Sequence, residues 1–336
     1  MGRPASLGAG RFSAGTLSPR PPYGNSRPCG ARPRPLRKDA LRGPLIAEET
    51  ASPLPTFRAP AHGPRMQEIE THGDVLRIHF TSRRSGAVGY GVSVYLVRDL
   101  IIDTGFPDAR DDVERLLDEV RPQGIVLTHQ HEDHAGNMAM CAQRGLPVYG
   151  ATETLDAIRA PERAGFYRRF VWGRMSPLRI PVFRFEPREL QLVHLPGHSS
   201  DHHGVWDPEH ETLFAGDLFL GVRVKVARPN EDIRLLAKSV REAQRLAPKV
   251  MFDSHRGLVP DAVAALSAKG DWLDETIGRI DELALEGLGE RRIRDAVLGP
   301  EDWVARASLG DLSKLNFVRS ALRGRTQASA TWRAAG

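Results

Sequence analysis

From Met66 onwards, apolar residues recur along the chain with the periods typical of strands and helices. Residues 74–80 alternate apolar and polar positions, and the β-branched runs 92–97 and 100–102 are separated by a short Arg-Asp turn, which predicts a hairpin. Apolar residues at i, i+3, i+4 and i+7 within residues 107–120 predict a helix. Further strands are predicted at residues 124–127, 190–195, 212–214 and 250–252, and further helices at residues 151–159 and 231–246. This succession predicts an α/β fold.

The character of the sequence changes near residue 259, where strand-like runs stop and helical spacing dominates. Leu273 and Ile277 belong to one apolar stripe, and glycines punctuate the segments that follow. We therefore expect a helical C-terminal appendage over residues 259–323 and a disordered tail over residues 324–336.

The segment before Met66 has a different composition. Residues 1–65 hold eleven Lys and Arg against three Asp and Glu, and 12 of the 25 prolines, without hydrophobic periodicity. Such a segment buries too little surface to offset the entropy of ordering, so we predict a disordered tail. An organelle transit peptide, a nucleic-acid-binding arm and a misplaced start codon are alternative interpretations. The rest of the chain carries 36 basic and 39 acidic residues, a net charge of −3, so the overall charge of +5 comes from the tail.

Composition excludes several classes of protein. No run approaches the roughly 18 apolar residues of a transmembrane helix, so no membrane association is predicted. Cys29 and Cys141 are the only two cysteines, which excludes a disulfide framework and a cysteine-rich zinc site. We expect a reducing, cytoplasmic location.

The strongest chemical signal follows the strand predicted at residues 124–127. His129, His131, Asp133 and His134 place four potential metal ligands within six positions. Imidazole and carboxylate together suit Zn²⁺, Mn²⁺ or Fe²⁺ better than Mg²⁺ or Ca²⁺. In an extended segment His129 and His131 point the same way because side chains alternate. Asp133 and His134 follow where the chain turns, and can face a second ion.

Three further candidates lie downstream, each at the end of a predicted strand. They are His198 in Pro-Gly-His-Ser-Ser-Asp-His, Asp217 in Gly-Asp-Leu-Phe-Leu-Gly, and His255 in Asp-Ser-His-Arg-Gly. Loops that leave successive strands at one edge of a sheet are a common way to assemble a site. We therefore expect these side chains to meet the first cluster.

The order His-x-His-x-Asp-His, Gly-His, Gly-Asp and a final His resembles the metallo-β-lactamase superfamily. Asp103, within Ile-Ile-Asp-Thr-Gly, matches the family's first motif. The resemblance covers about residues 68–257 and is greatest to the glyoxalase II-like and lactamase-beta-2-like branch. It implies a four-layer αβ/βα sandwich, with residues 66–258 as the catalytic domain. The chain departs from the family pattern before His255, where Asp-Ser replaces the usual Pro-Gly.

The resemblance also implies a ligand set for two divalent metal ions, zinc first among the candidates, with manganese or iron as alternatives. The implied ligands are His129, His131 and His198 for the first ion, Asp133, His134 and His255 for the second, and Asp217 as the bridge. Ions bridged in this way share a hydroxide that attacks the substrate.

Three residues receive supporting roles from the same resemblance. Asp133 is expected to act in catalysis by accepting a proton or orienting the hydroxide. Asp103 is expected to fix the ligand loops from behind. His202, four residues after His198, is expected either to support the ligands or to contact the substrate.

Basic and aromatic residues interleave within residues 161–188. One interpretation is a lid in which Arg168, Arg169 and Trp172 close over an anionic substrate. The alternative is a solvated loop whose aromatic residues cover the core. Arg228 lies in a basic run after Asp217. This run either adds to the basic residues around the predicted lid or belongs to an exposed strand.

The hypothesis that we favour is a dinuclear metallohydrolase that acts on a small-molecule ester or thioester, of the hydroxyacylglutathione type. A ribonuclease or other phosphodiesterase, and a lactonase, are alternatives with the same metals. A nucleic-acid partner is not favoured because residues 66–336 are slightly acidic. A metal-binding sensor or scaffold is the non-enzymatic alternative, which the intact ligand set argues against. The sequence leaves the oligomeric state open.

Overall fold

Two mixed sheets form the centre of the protein. The structure is a computed structural model that describes residues 67–162 and 164–323. Sheet one contains, in spatial order, β1 (Gln67–His72), β2 (Val75–Phe80), β3 (Val92–Val97), β4 (Leu100–Ile102), β5 (Gly124–Val126) and β6 (Val148–Tyr149). Sheet two contains β11 (Gly257–Val259), β10 (Val250–Asp253), β9 (Thr212–Phe214), β8 (His203–Asp207) and β7 (Gln191–His194).

Helices connect and flank the strands. They are α1 (Arg83–Ala87), α2 (Arg110–Val120), α3 (Met138–Gln143), α4 (Thr152–Arg159), α5 (Phe166–Trp172), α6 (Ile233–Arg245), α7 (Ala262–Leu285), α8 (Glu290–Val297), α9 (Trp303–Ala307) and a helical run over residues 314–323. The helix expected at 107–120 starts as a 3-10 turn, Pro107–Ala109, before α2. Proline suits such a start because its missing N–H would have no helical partner.

The buried residues divide into three cores, which define four layers. One core lies between the sheets, where Tyr95 and Ile102 of sheet one pack with Phe214 and Phe252 of sheet two. A second core joins the other face of sheet one to α2, α3, α4 and α5, and a third joins the other face of sheet two to α6 and α7. The order helix, sheet, sheet, helix confirms the predicted αβ/βα sandwich.

The mixed pairing of the strands decides where the ligand loops emerge. β4, β5 and β6 run parallel in sheet one, and β9 and β10 run parallel in sheet two. Parallel neighbours present their carboxyl ends at the same edge, so the loops after β5, β9 and β10 leave the sheets together with the loop after β7. β1, β6, β8 and β11 are strands that the hydrophobic pattern had not predicted.

The C-terminal helices share the core of sheet two. Leu266, Leu273 and Phe317 are buried in the same cluster as Leu213 and Met251. The boundary predicted after residue 258 falls inside β11, which pairs with β10 through Val259 and Met251.

The tails predicted at residues 1–65 and 324–336, and Arg163, lie outside the described residues. No described helix combines the length and the apolar character that a bilayer crossing requires.

Candidate metal centre

Asp103 anchors the loop that carries the histidine cluster. It lies just after β4, is buried, and adopts a left-handed backbone conformation with φ of 64°. Its Oδ1 accepts hydrogen bonds from the Thr128 main-chain N–H at 2.9 Å and the Thr128 hydroxyl at 3.0 Å. Its Oδ2 lies 2.8 Å from His134 Nδ1, which leaves His134 Nε2 facing away from the hairpin. These contacts agree with the supporting role expected for Asp103.

The first group of ligand atoms joins the loop after β5 to sheet two. His129 Nε2 lies 2.8 Å from His131 Nδ1, which lies 3.0 Å from His198 Nε2. Asp217 Oδ2 completes the group at 3.1 Å from His198 Nε2. One ligand atom from each of these four buried residues lies within 4.8 Å of the others. The arrangement suits one ion with three imidazoles and a carboxylate.

The second group of ligand atoms lies on the other side of Asp217. Asp217 Oδ1 is 3.2 Å from His134 Nε2 and 3.2 Å from His255 Nε2. Asp133 Oδ2 is 3.5 Å from His255 Nε2. His255 Nδ1 donates to the Gly91 carbonyl at 2.6 Å, so its Nε2 is the nitrogen available to a metal. All seven ligands expected from the sequence therefore come together, in two groups that share Asp217.

Unpartnered buried atoms test whether metal ions fit this site. Asp133 Oδ1, His134 Nε2 and Asp217 Oδ1 are buried and have no hydrogen-bond partner. A buried carboxylate oxygen without a donor is costly unless a cation contacts it. The donor set of imidazole and carboxylate fits divalent zinc, manganese or iron.

The ionisation of three ligands of the first group also fits a cation. Burial lowers the pKa of His129 and His131 well below the ordinary value, so both are neutral imidazoles, the form that binds metals. Burial raises the pKa of Asp217, but the charges of His255 and His134, whose own pKa values are raised, outweigh this effect and hold the pKa of Asp217 well below its usual range. Asp217 is therefore an anion.

His202 contacts the main chain at Leu195 and at Asp217. Its ring is fully buried. Nδ1 donates to the Leu195 carbonyl at 3.0 Å, and Nε2 accepts from the Asp217 main-chain N–H at 3.0 Å. Burial lowers the pKa of His202 to about 3, so it stays neutral. Because main-chain groups occupy both nitrogens, the geometry favours the supporting role over substrate contact.

Asp253 joins two ligand loops, and the sequence analysis had not singled it out. Its Oδ1 accepts from the His255 N–H at 2.8 Å, and its Oδ2 accepts from the Leu220 N–H at 2.6 Å. Asp253 thus connects the loop that carries His255 to the loop that carries Asp217. It stands where the chain departs from the family's Pro-Gly, and that departure was the signal that could have found it.

A cavity of about 470 Å³ opens beside the first group of ligands, and His131 lines it. Arg168, Arg169 and Arg174 also line it. Arg168 does not act as a free anion clamp, because its guanidinium forms a two-point ion pair with Glu132. The lid role of Arg168 stays a prediction, and residue types alone do not identify a partner 36 positions away.

The other two predicted lid residues differ in exposure. Trp172 is buried, and its ring lies 5.2 Å from that of Phe106 and 6.1 Å from that of His255. Its ring therefore packs beside the second group of ligands, and its role in a lid stays a prediction. Arg169 is exposed at the cavity and remains available to an anion.

Arg228 and Glu231 lie beside the first group. Arg228 is 8% exposed, and its Nη1 lies 3.0 Å from His131 Nδ1. Glu231 Oε1 lies 3.6 Å from His198 Nδ1, and burial raises the pKa of Glu231. The exposed strand considered for Arg228 is therefore excluded.

Comparisons with known proteins agree with this geometry. A family model described as "Metallo-beta-lactamase superfamily" matches residues 87–255. An atrochrysone carboxyl ACP thioesterase of Paecilomyces divaricatus is 32% identical over 182 residues, which cover 51% of this chain and 52% of that protein. A beta-lactamase-like protein 2 homolog of Drosophila melanogaster is 28% identical over 193 residues, which cover 52% of this chain and 62% of that protein.

The match to these curated relatives spans little more than half of their length. A crystal structure of a metallo-beta-lactamase family protein of Thermus thermophilus superposes with a TM-score of 0.51 at 19% identity. That alignment covers 70% of this chain and 89% of the other, and it shows the fold. The matches support an enzyme with this fold, as predicted. On the family model and the assembled motif, the chain belongs to the metallo-β-lactamase superfamily.

Proposed function

We propose that the chain is a hydrolase that holds two divalent metal ions, zinc first among the candidates, and cleaves a thioester or related ester. The observation that carries the proposal is the position of Asp217. Its Oδ2 faces the three imidazoles of the first group, and its Oδ1 faces His134 and His255. A carboxylate whose two oxygens face two separate groups of ligands suits two ions, whereas a single ion would need only one of these groups.

The residues of the site have different roles in the proposed hydrolysis. Divalent ions held by these two groups of residues would supply Lewis acidity for the carbonyl under attack and would lower the pKa of bound water towards ~7. Asp133 keeps Oδ1 free of hydrogen bonds while Oδ2 faces His255. It is the group placed to accept the proton of the attacking water. Asp103 and His202 hold the ligand loops in register during the reaction.

Three observations support a thioester as the substrate class. Several relatives, including the one from Paecilomyces divaricatus, are named acyl carrier protein thioesterases. The cavity of about 470 Å³ beside His131 has the size of a small-molecule site. Its lining mixes charged side chains with Met175 and Pro177, which suits an acyl group attached to a polar thiol. Among thioesters, a substrate of the hydroxyacylglutathione type, with glutathione as the thiol, remains our first choice.

Metal content and turnover test the proposal together. Protein loaded with zinc should contain two ions per chain by elemental analysis. Asp217→Asn should bind fewer than two, and its hydrolysis of a glutathione thioester should fall by about 10²–10⁴-fold, because the shared ligand loses its charge. Asp271→Asn, at an exposed position on α7, is the matched control and should keep both properties. A single ion in active wild-type protein would contradict the proposal.

Phosphodiester cleavage is the second candidate. Arg169 and Arg174 are exposed at the cavity and suit a phosphate backbone. A panel of a glutathione thioester, a carrier-protein thioester, a lactone and a single-stranded RNA separates the candidates. Thioester turnover without RNA cleavage supports our choice, and the reverse result assigns the site to RNA.

A further inference from the structure

Asp201 is a buried carboxylate that joins three segments around the candidate metal centre. It lies in the loop after β7 and is 2% exposed. Its Oδ2 accepts hydrogen bonds from the Gln130 main-chain N–H at 2.9 Å and the Thr154 hydroxyl at 2.8 Å. Its Oδ1 accepts from the Ser199 hydroxyl at 2.7 Å and from Gln130 Nε2 at 3.2 Å. The donors thus come from the loop after β5, from α4, and from the loop after β7 itself.

The Asp201 carboxylate belongs to neither group of candidate ligands, and its four donors are uncharged. A buried carboxylate with this many hydrogen bonds is tightly fixed, because movement weakens the bonds of the buried Thr154 and Ser199 hydroxyls. The Gln130 loop follows β5 of sheet one, and the Ser199 loop follows β7 of sheet two. Asp201 is therefore a rigid link between loops of the two sheets.

The link spans the two loops whose imidazoles meet in the first group. Gln130 directly precedes His131, and Ser199 directly follows His198. His131 Nδ1 lies 3.0 Å from His198 Nε2, and the centroids of the two rings are 4.7 Å apart. On each loop, the hydrogen bonds of Asp201 therefore lie one residue away from an imidazole of the first group.

We propose that Asp201 is a positioning residue that fixes the separation of His131 and His198 for the first ion. Loops that are already held in the bound arrangement lose less conformational entropy on binding, so the affinity for the ion rises. This inference rests on the proposed function for the presence of two ions. Its tests measure metal affinity and ring contacts, so they do not depend on turnover.

The second group should depend much less on this link, because other contacts hold its imidazoles. Asp103 contacts the ring of His134. The Gly91 carbonyl accepts from the ring of His255. Loss of the Asp201 carboxylate should therefore change the ratio of the two affinities, which a general loss of stability would not do.

Cadmium titration followed by NMR of the bound metal measures the two affinities separately. The signals differ because the first group offers three imidazoles and one carboxylate, and the second offers two of each. Asp201→Ala should weaken cadmium binding at the first group by about 10–100-fold and at the second group by less than about threefold. Equal losses at both groups, or an unchanged affinity at the first group, would overturn the inference.

Two further variants separate positioning from charge and from stability. Asp201→Asn keeps one oxygen for the Gln130 N–H and the Thr154 hydroxyl, so the first-group affinity should stay within about fivefold of wild type. Asp207, at the end of β8 remote from Asp201, is 1% exposed and accepts from two main-chain N–H groups. Asp207→Ala should therefore lower Tm and leave both affinities within about twofold. A loss in Asp201→Asn as large as in Asp201→Ala would assign the effect to charge and overturn the inference.

Ring contacts in metal-free protein test the link without any metal. Nuclear Overhauser contacts between the rings of His131 and His198 should be lost in Asp201→Ala and persist in Asp207→Ala. Contacts that persist in both variants would contradict the inference. Wild-type protein that binds cadmium at both groups but hydrolyses no thioester contradicts the proposed function alone.

Ser199→Ala replaces Asp201→Ala if that variant does not fold. It removes one donor beside His198 and keeps the carboxylate. Its first-group affinity should fall by at least about threefold, while the second-group affinity stays at the wild-type value. An unchanged first-group affinity in Ser199→Ala would likewise overturn the inference.

Discussion

At the scale of single residues, Asp103 contacts the histidine loop without belonging to either group of candidate ligands. Its carboxylate contacts both the start of the histidine loop, at Thr128, and the ring of His134. A hydrogen bond to one imidazole nitrogen fixes which nitrogen faces the ion. The second group of ligands depends on this contact more than the first, because only His134 is held directly.

Replacing Asp103 should therefore affect the second ion first. Asp103→Asn should lower zinc affinity at the second group by about 10–100-fold and keep the first ion bound. Zinc titration with a competing chromophoric chelator measures the two affinities. Asp99→Asn, on the exposed turn of the same hairpin, is the matched control. An equal loss of both ions in Asp103→Asn would argue against this division.

At the scale of elements, α7 holds the loop that follows Asp217. Lys269, on α7, is fully buried, and its Nζ donates to the Phe219 carbonyl at 2.7 Å and the Gly221 carbonyl at 3.1 Å. That loop contains two residues with positive φ, Leu220 at 51° and Gly221 at 119°. The lysine satisfies carbonyls that this irregular path leaves without strand partners. Helix α7 thus stabilises the loop that follows Asp217.

Lys269 also makes stability depend on pH. Burial lowers its pKa from 10.5 to about 8. Between these values the unfolded chain binds a proton that the folded chain has lost, so the free energy of unfolding rises with pH. The difference between wild type and Lys269→Met should grow in favour of the wild type by up to about 3 kcal/mol from pH 8 to pH 10.5.

Urea unfolding at several pH values measures this difference. Lys238→Met, on the exposed side of α6, is the control and should follow the wild-type curve. A difference between wild type and Lys269→Met that stays constant with pH would contradict the assignment.

At the scale of the whole molecule, the candidate centre lies where the two sheets meet. His129, His131, Asp133 and His134 follow β5 of sheet one. His198, Asp217 and His255 follow β7, β9 and β10 of sheet two. The candidate ligand set is therefore complete only when both sheets are folded and packed, so we expect metal binding and folding to be coupled.

Metal removal should lower the stability of the entire chain. Zinc at about a hundredfold excess over its Kd contributes about 2.7 kcal/mol per site. For each occupied site, this free energy corresponds to a rise in Tm of roughly 5–10 °C. Calorimetry with zinc and with a chelator measures the shift, and Asp217→Asn should show a smaller response than Asp271→Asn. A Tm that does not change when a chelator is added would contradict the expected coupling of metal binding to folding.

Local patterns predicted much of this protein. The candidate metal ligands lie in short motifs next to predicted strands, so His129, Asp217 and His255 could be named before the structure was known. The apolar periods also placed most strands and helices within a few residues. β6 was missed because a two-residue strand contains too few positions to show a period.

The contacts that the sequence could not supply link residues far apart in the chain. Residue types predicted an anion clamp at Arg168, but the fold places Glu132 against it. The same types allowed an exposed strand at Arg228, yet tertiary packing buries this residue against His131. By itself, the sequence determined the ligand chemistry and the order of the elements, because both depend on neighbouring residues. Only the tertiary structure decided which charges are paired, because pairing depends on distances across the fold.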